Sequence, residues 1–503
     1  MFDFFRNKKT VESPMKKIGM RQHRKLFVDK KVEEYTKQLN TRSMGLVGDR
    51  IDGETERNVI TGSINRAIKG SAQRLYNQGR TLALNTSIGS RYAQHVVDQV
   101  VGTGLSPKTF LMKGGKLDKE TNAMLEAAFW RWAGSQKRFS RNGKLNFLEL
   151  LKMCEKERVM GGEAFVVLHR EGKDLQVSVL GADKCDWTDC RKLDNGNTVY
   201  QGIEYDSETI CPVAYWFRRY DLFTQTFTGE KYRVEAENVL HYYIPATAEA
   251  LRGVTDFLPV IKDIAHMDAF RETAIIQKRV AASSMGFIER QKDDNNEFDT
   301  GEEDNYQPPV MVTDFEPGTI QELPAGATIK TMQASQGGDD FDKFNEAMLT
   351  AVSMGLSSYK TALTGDTSNV NYSAARFGAL MERNRFKGNQ DRMIDIIVMP
   401  LFEAFLNHAV LHSRINIRMT QIENIILNTT VIRPKYESVD PIKDINAEVM
   451  LIEKGLKSKS SVIMERGDDP VQVFKEIEAE KATLNTSEAS DAEKDKPAET
   501  QEE

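Results

Sequence analysis

Between residues 256 and 356 the sequence places two amphipathic helical patterns around a polar insert, and no other feature limits the fold as strongly. Phe257, Val260, Ile261, Ile264, Met267, Phe270 and Ala274 recur at spacings of three and four, which puts them on one helix face. That helix is expected to reach about Met285 and to stop at Gly286. Phe341, Phe344, Met348, Leu349 and Val352 mark a second stripe over 339–355. The stretch between them is rich in Asp, Asn, Glu, Pro and Gly, with short strand-like pieces at Pro309–Val312 and Thr328–Met332. The expectation is a hairpin of two helices carrying a small module at its tip.

Upstream, helices are expected at Asn65–Asn85, from Ser87 to the glycines Gly102 and Gly104, at Leu117–Ser135 and at Asn146–Met160. Beyond Gly161-Gly162 the period changes. β-Branched and aromatic runs at 164–168, 175–180, 198–205, 213–219 and 231–234 alternate with turns such as Asp194-Asn195-Gly196-Asn197, which predicts an antiparallel sheet over about 160–245. Downstream, small polar residues from Thr364 to Ser373 suggest an exposed loop. A long helix from about Ser373 to His408 follows, with Pro400 as its kink. Residues 420–435 look extended, and Asp440–Glu480 returns to helices broken by Gly455 and Gly467. The fold class is α+β. The first forty residues read as an arm, and the acidic stretch from Thr486 has too few apolar residues to order itself.

At 503 residues the chain is long enough for roughly three domains at about 150 residues each. Its longest unbroken apolar run, Ile396–Phe402, is far short of the roughly 18 residues a membrane span needs. The opening Met-Phe-Asp-Phe-Phe-Arg lacks the charge-then-apolar order of a signal peptide, so no membrane partner and no secretion by that route are expected. Sixty-eight basic against 74 acidic side chains give a net charge of −6, which argues against a tight general grip on duplex DNA. Four cysteines (Cys154, Cys185, Cys190, Cys211) are too few for a disulfide scaffold; small buried residues in a reducing cytoplasm is the better reading.

Catalytic-looking fragments fail on context. Ser357-Ser-Tyr-Lys360 matches S-x-x-K but its partner triplets are missing. Gly102 to Thr109 ends like a phosphate-binding loop, yet Pro107 stands where a glycine must precede the lysine. The cysteine spacing lacks a second matched pair for zinc, and His408 and His412 share a helical face with no adjacent carboxylate. The acidic run from Asp293 to Asp304 lacks the spacing of a calcium loop. No catalytic residue, metal or cofactor is expected.

Several segments, in order, resemble the lambda-type family of tailed-bacteriophage portal proteins. They are Arg91 to Gly104 with its Val-Val-Gly-Thr-Gly ending, Gly162-Glu163-Ala-Phe, and His241 to Tyr243 followed by Leu251-Arg252-Gly253-Val254. Further along come Met354 to Tyr359, Asn371-Tyr372-Ser373-Ala-Ala-Arg376, Gly455 to Ser461, and Arg466-Gly-Asp-Asp-Pro470. Ala374 stands where the family often has a second serine, and one extra serine separates Gly355 from Tyr359.

The resemblance implies a ring, usually of twelve subunits, at one capsid vertex of the virion, assembled in the bacterial cytoplasm. The arm at 1–40 matches no segment of the family; beyond it the resemblance implies a helical and β wing at 41–255, stem helices at 256–286 and 339–356, and a small α/β clip at 287–338. A tunnel loop would occupy 357–375, a long helix returning to the wing 376–435, a helical crown 436–484 and a disordered tail 485–503. Its implied partners are the duplex DNA in the lumen, the large terminase subunit, the head–tail connector, and the major capsid and scaffolding proteins. Lys360, Asn369, Asn371, Tyr372 and Arg376, in or beside the tunnel loop, are the candidates for transient phosphate contacts. The alternatives are a non-ring head protein and a prophage-derived enzyme.

Overall fold

A computed structural model describes residues 63–282, 286–290, 327–331, 338–366, 371–435 and 441–481. The arm at 1–40, the strand-like piece at 309–312 and the acidic tail lie outside them. The chain is a mixed helix-and-strand protein that divides into two compact units, one of Met1–Pro259 with Thr361–Glu503, the other of Val260–Lys360.

The described residues of the first unit begin with α1 (Ile64–Asn85) and α2 (Ser87–Val100), joined at Thr86, whose hydroxyl accepts from Gly89 N–H to cap α2. α2 ends before Gly102 and Gly104, which take φ of +48° and +127°. A short hairpin, β2 (Met112–Lys113) with β3 (Lys116–Leu117), leads into the next helix. α3 (Lys119–Ala133) and α5 (Phe147–Gly161) flank a single turn, α4 (Gln136–Phe139). α5 starts on a capping box between Asn146 and Glu149, which satisfies orphan N–H groups at both positions.

The expected single sheet is two antiparallel sheets. One orders β11 (Val239–Tyr243), β4 (Glu163–His169) and β5 (Gln176–Gly181). The other runs from β10 (Thr226–Glu235) through β9 (Pro212–Asp221), β8 (Ile203–Tyr205) and β7 (Thr198–Tyr200) to β6 (Arg191–Lys192). β7 and β8 fall in one expected run but are split by Gln201-Gly202, both at positive φ, the two-residue turn that matches strand twist. Phe165, Val167, Cys185, Ile203, Tyr215 and Phe217 form a shared core. An aromatic cluster, with Phe129 against Phe147, Phe402 and Phe405, ties α3 and α5 to the returning chain.

That returning chain is α9 (Tyr372–Met393), a π-helical stretch Ile394–Val398, and α10 (Met399–Leu411). The π stretch precedes Pro400, where a kink was expected, and ends with Met399 N–H bonded to Ile394 O five residues back. The continuous helix Arg376–Leu411 is long and apolar enough to cross a membrane by length and composition, although half of its most apolar window is buried within the protein. Residues 420–435 are not wholly extended: α11 (Ile422–Leu427) precedes β14 (Thr429–Ile432), which pairs antiparallel with β1 (Ser106–Thr109). α12 (Pro441–Glu453), α13 (Lys459–Glu465) and a helix at 470–481 are separated by Gly455 and Gly467, at φ +71° and +84°. Cys154 and Cys185 are buried, but Cys190 and Cys211 are exposed, because each sits in the loop leading to a strand.

The second unit holds α6 (Ile261–Ala282) and α7 (Gly338–Gly355), with β12 (Gly286–Arg290) pairing antiparallel with β13 (Ala327–Thr331) between them in sequence. The first helix is described as far as Ala282, residues 283–285 lie outside the described ones, and Gly286 opens a strand. Phe270 meets Phe344 at 4.2 Å and Phe341 at 5.6 Å between ring centres, and Arg271 Nε donates to Asn345 Oδ1 at 2.9 Å. Burial is complete at Ile264 and Met267 but falls away along α6, leaving Ile275 and Ile276 about half exposed.

Candidate functional site

The segment 357–375 is described at 357–366 and from 371 onward. Ser357 takes a φ of +50° and Ser358 N–H donates to Ser353 O at 2.9 Å, which closes α7. The next residues form a helical turn, α8 (Lys360–Thr364), ending where the expected exposed loop begins. Lys360 opens that turn, and its Nζ donates to Glu346 Oε1 on α7 at 2.5 Å. Asn371 Oδ1 accepts from Ala374 N–H at 2.8 Å and caps α9, of which Tyr372 is the first residue. Asn369 lies outside the described residues. Arg376 Nη2 donates to Asp444 Oδ1 on α12 at 2.7 Å.

Lys360 therefore belongs to the second unit, and Asn371 and Arg376 to the first. Both cations have carboxylate partners that sequence reasoning missed. Glu346 and Asp444 lie 14 and 68 residues away, with no local spacing to announce them. Each pair is partly open to solvent. Such pairs contribute about 0–1 kcal/mol, so exchanging a carboxylate for a phosphate costs little.

The motif residues that carried the resemblance do a different job. Glu163, at the start of β4, accepts from Arg252 Nε and Nη2 at 2.8 and 2.5 Å, from His241 Nε2 at 2.9 Å and from Gly253 N–H at 3.2 Å. Burial pushes its pKa up, but the Arg252 charge and these hydrogen bonds overturn that and hold it at about 2. Burial pushes His241 below the usual imidazole value, so the neutral ring donates through Nε2. Gly162 sits at φ +93°, and a Cβ on Gly253 would fall 2.1 Å from Gly162 O.

A second cluster lies on α5. Arg158 Nη2 donates to Glu155 Oε1 at 2.8 Å and Nη1 to Asp256 Oδ1 at 2.7 Å. Tyr242 OH donates to Glu155 Oε2 at 2.7 Å. Tyr92 OH donates to Asp256 Oδ2 at 3.1 Å and accepts from Arg385 Nη2 at 2.8 Å. Gln390 Nε2 donates to Gln99 O and Val100 O at the end of α2. On β1 (Ser106–Thr109), Lys108 is buried and donates to Glu126 and Asp469 at 2.5 and 2.6 Å, so it is a brace rather than a phosphate ligand. Arg466 Nη2 donates to Glu448 Oε2 at 2.6 Å. Among the described residues no group of three or more His, Cys, Asp or Glu is placed to hold a metal ion.

Ion pairs, helix caps and close glycine contacts account for Glu163, His241, Arg252, Gly253, Asn371, Arg376 and Arg466 among the motif residues. The model of the phage portal protein, lambda family, matches residues 53–390, and the chain belongs to that family, whose members are structural components of the capsid vertex. The probable portal protein of Halomonas phage phiHAP-1 is 23% identical over 431 residues, covering 83% of this chain and 81% of its own length. The portal protein of Escherichia phage N15 and portal protein B of Escherichia phage lambda are 22% and 21% identical over 258 residues, 47% of this chain and 48% of each relative. Among solved structures, the neck of a native GTA particle computed with C12 symmetry is 14% identical, with a TM-score of 0.42 over 79% of this chain and 94% of that one.

Proposed function

We propose that this chain is one subunit of a closed ring, of twelve copies by family resemblance, through which duplex DNA enters the capsid, is retained and leaves. In this reading 41–255 is the wing, 256–286 and 339–356 are the stem, and 436–484 is the crown. The clip at 287–338 docks the large terminase subunit and later the head–tail connector, while capsid and scaffolding proteins meet the outer parts. The ring assembles in the host cytoplasm and stays in the virion, without a membrane partner.

The observation that carries this reading is the family match over 53–390, which spans both stem helices and the segment between them. Exposed apolar side chains support it. Ile275, Ile276 and Met354 on α6 and α7, and Ile442, Val449 and Met450 on α12, are all more than two-fifths exposed in the isolated subunit. Rotational closure needs two different faces of each subunit to meet head to tail, and such side chains suit that burial. The electrostatics fit passage rather than capture. A net charge of −6 per copy keeps the ring negative, and Lys360 and Arg376 sit in exchangeable surface pairs.

Negative-stain microscopy of the purified full-length protein tests the reading. Toroids with a central hole are expected; monomers under every salt and protein concentration overturn it.

A further inference from the structure

A cavity of about 310 Å³ in the first unit opens between α3, the β4–β5 turn and the end of α10. Its floor is aromatic: Trp132 and Phe405 stack at 4.8 Å with planes 21° apart, and Trp132 Nε1 donates to Leu175 O at 2.6 Å, which fixes the indole. Ile415 and Ala409, both buried, complete the apolar base. Its rim is cationic, with Arg131, Arg138, Lys173 and Arg414. The one carboxylate in the lining, Asp174, is taken by Arg414 at 2.7 Å. Among the described residues no carboxylate lies within ion-pair distance of Arg131, Arg138 or Lys173. Three of the four rim cations therefore have no carboxylate partner among the described residues, and on a chain of net charge −6 they gather positive charge beside Trp132 and Phe405.

We propose that this cavity binds an acidic peptide segment of a partner protein through one large apolar side chain flanked by carboxylates. The volume lies at the lower end of the roughly 300–1,000 Å³ typical of ligand pockets, which suits one anchoring side chain rather than a whole cofactor. The fixed indole and the Phe405 ring line the seat for that anchor, and Arg131, Arg138 and Lys173 answer acidic neighbours on either side of it. Duplex DNA fits less well: a rigid rod has no apolar projection to seat on Trp132. The inference does not depend on ring formation, since every lining residue belongs to one unit of one chain.

The test uses the full-length protein and three labelled peptides, read by fluorescence polarisation and by Trp132-dependent emission. One peptide carries Phe between Asp and Glu residues, the second replaces Phe by Ala, and the third replaces the acids by Asn and Gln. The first is expected to bind at least about tenfold more tightly than either control, and to weaken as salt rises. The exposed rim changes Arg131→Glu and Lys173→Glu should each reduce its affinity several-fold. Ala128→Phe, which fills the mouth, should abolish binding, with an unchanged circular dichroism spectrum confirming that all three variants fold. Equal binding of the three peptides, no saturation below about 1 mM, or unaltered affinity in the folded rim variants overturns the proposal. Displacement of the peptide by a DNA oligonucleotide at lower concentration also overturns it, in favour of a nucleic-acid site.

Discussion

Arg158 grips Asp256 through two parallel bonds, Nη1 to Oδ1 at 2.7 Å and Nη2 to Oδ2 at 3.0 Å, joining α5 to the stretch of the first unit that ends at Pro259. The same guanidinium holds Glu155, and both Arg158 and Glu155 are sealed from solvent. Replacing Arg158 by Met leaves a buried carboxylate with no counter-charge, and breaking such a pair costs about 3–5 kcal/mol. Urea unfolding of Arg158→Met should show this loss; a change below about 1 kcal/mol would mean that the cluster is solvated in solution.

The Glu163–Arg252 pair predicts an acid-sensitive component of stability. The carboxyl's folded pKa of about 2 lies below its ordinary value of 4.5. The unfolded chain therefore binds the proton first as pH falls. The stabilisation is complete above about 4.5 and drains away down to about 2. Asp186 and Glu204, each also held at about 2, add to the same window. Denaturation midpoints measured from pH 6 to pH 2 should fall most steeply there. Glu163→Gln should be less stable at neutral pH and lose less on acidification; a slope identical to that of the unaltered protein contradicts the assignment.

Gly253 and Gly162 approach so closely that neither tolerates a methyl group. A Cβ at Gly253 would lie 2.1 Å from the Gly162 carbonyl oxygen, and the obstacle is backbone, which does not rotate away. Overpacking commonly costs about 1–3 kcal/mol, and a rigid obstacle puts this site at or above the upper end. Gly253→Ala should lower the melting temperature sharply or abolish soluble expression, whereas Gly388→Ala, with open space around its Cβ, should not.

Lys360→Ala combined with Arg376→Ala removes two partly exposed ion pairs, at a combined cost of about 0–2 kcal/mol. Ring assembly seen by negative stain should persist, while DNA packaging or retention in a complementation assay should change. Normal packaging and retention would remove these two residues from the channel assignment.

Helix positions were largely legible because their signals are local. The Asn146–Glu149 capping box, the Gly102 and Gly104 stop and the glycines at 455 and 467 all act within one turn of chain. α11 escaped notice because Ile422, Ile425 and Ile426 are β-branched and read as strand, although their spacing also fits a helix. The π stretch was unreadable for a related reason: Pro400 announces a lost hydrogen bond but not how the backbone absorbs it. Of the candidate site, Asn371's capping role follows from residue type and position. The partners of Lys360 and Arg376, and of Glu163 and Arg252 across 89 residues, are set by tertiary packing and leave no periodic trace.

The pairing of β1 with β14 carries a consequence for biogenesis. Thr109 and Thr429 touch hydroxyl to hydroxyl at 2.9 Å across 320 residues of chain. A polypeptide emerging from the ribosome at about 5–20 residues per second makes β1 long before its mate exists. Its edge stays unpaired for tens of seconds, and a nascent chain stalled short of residue 429 presents that open edge to whatever strand or chaperone is nearby.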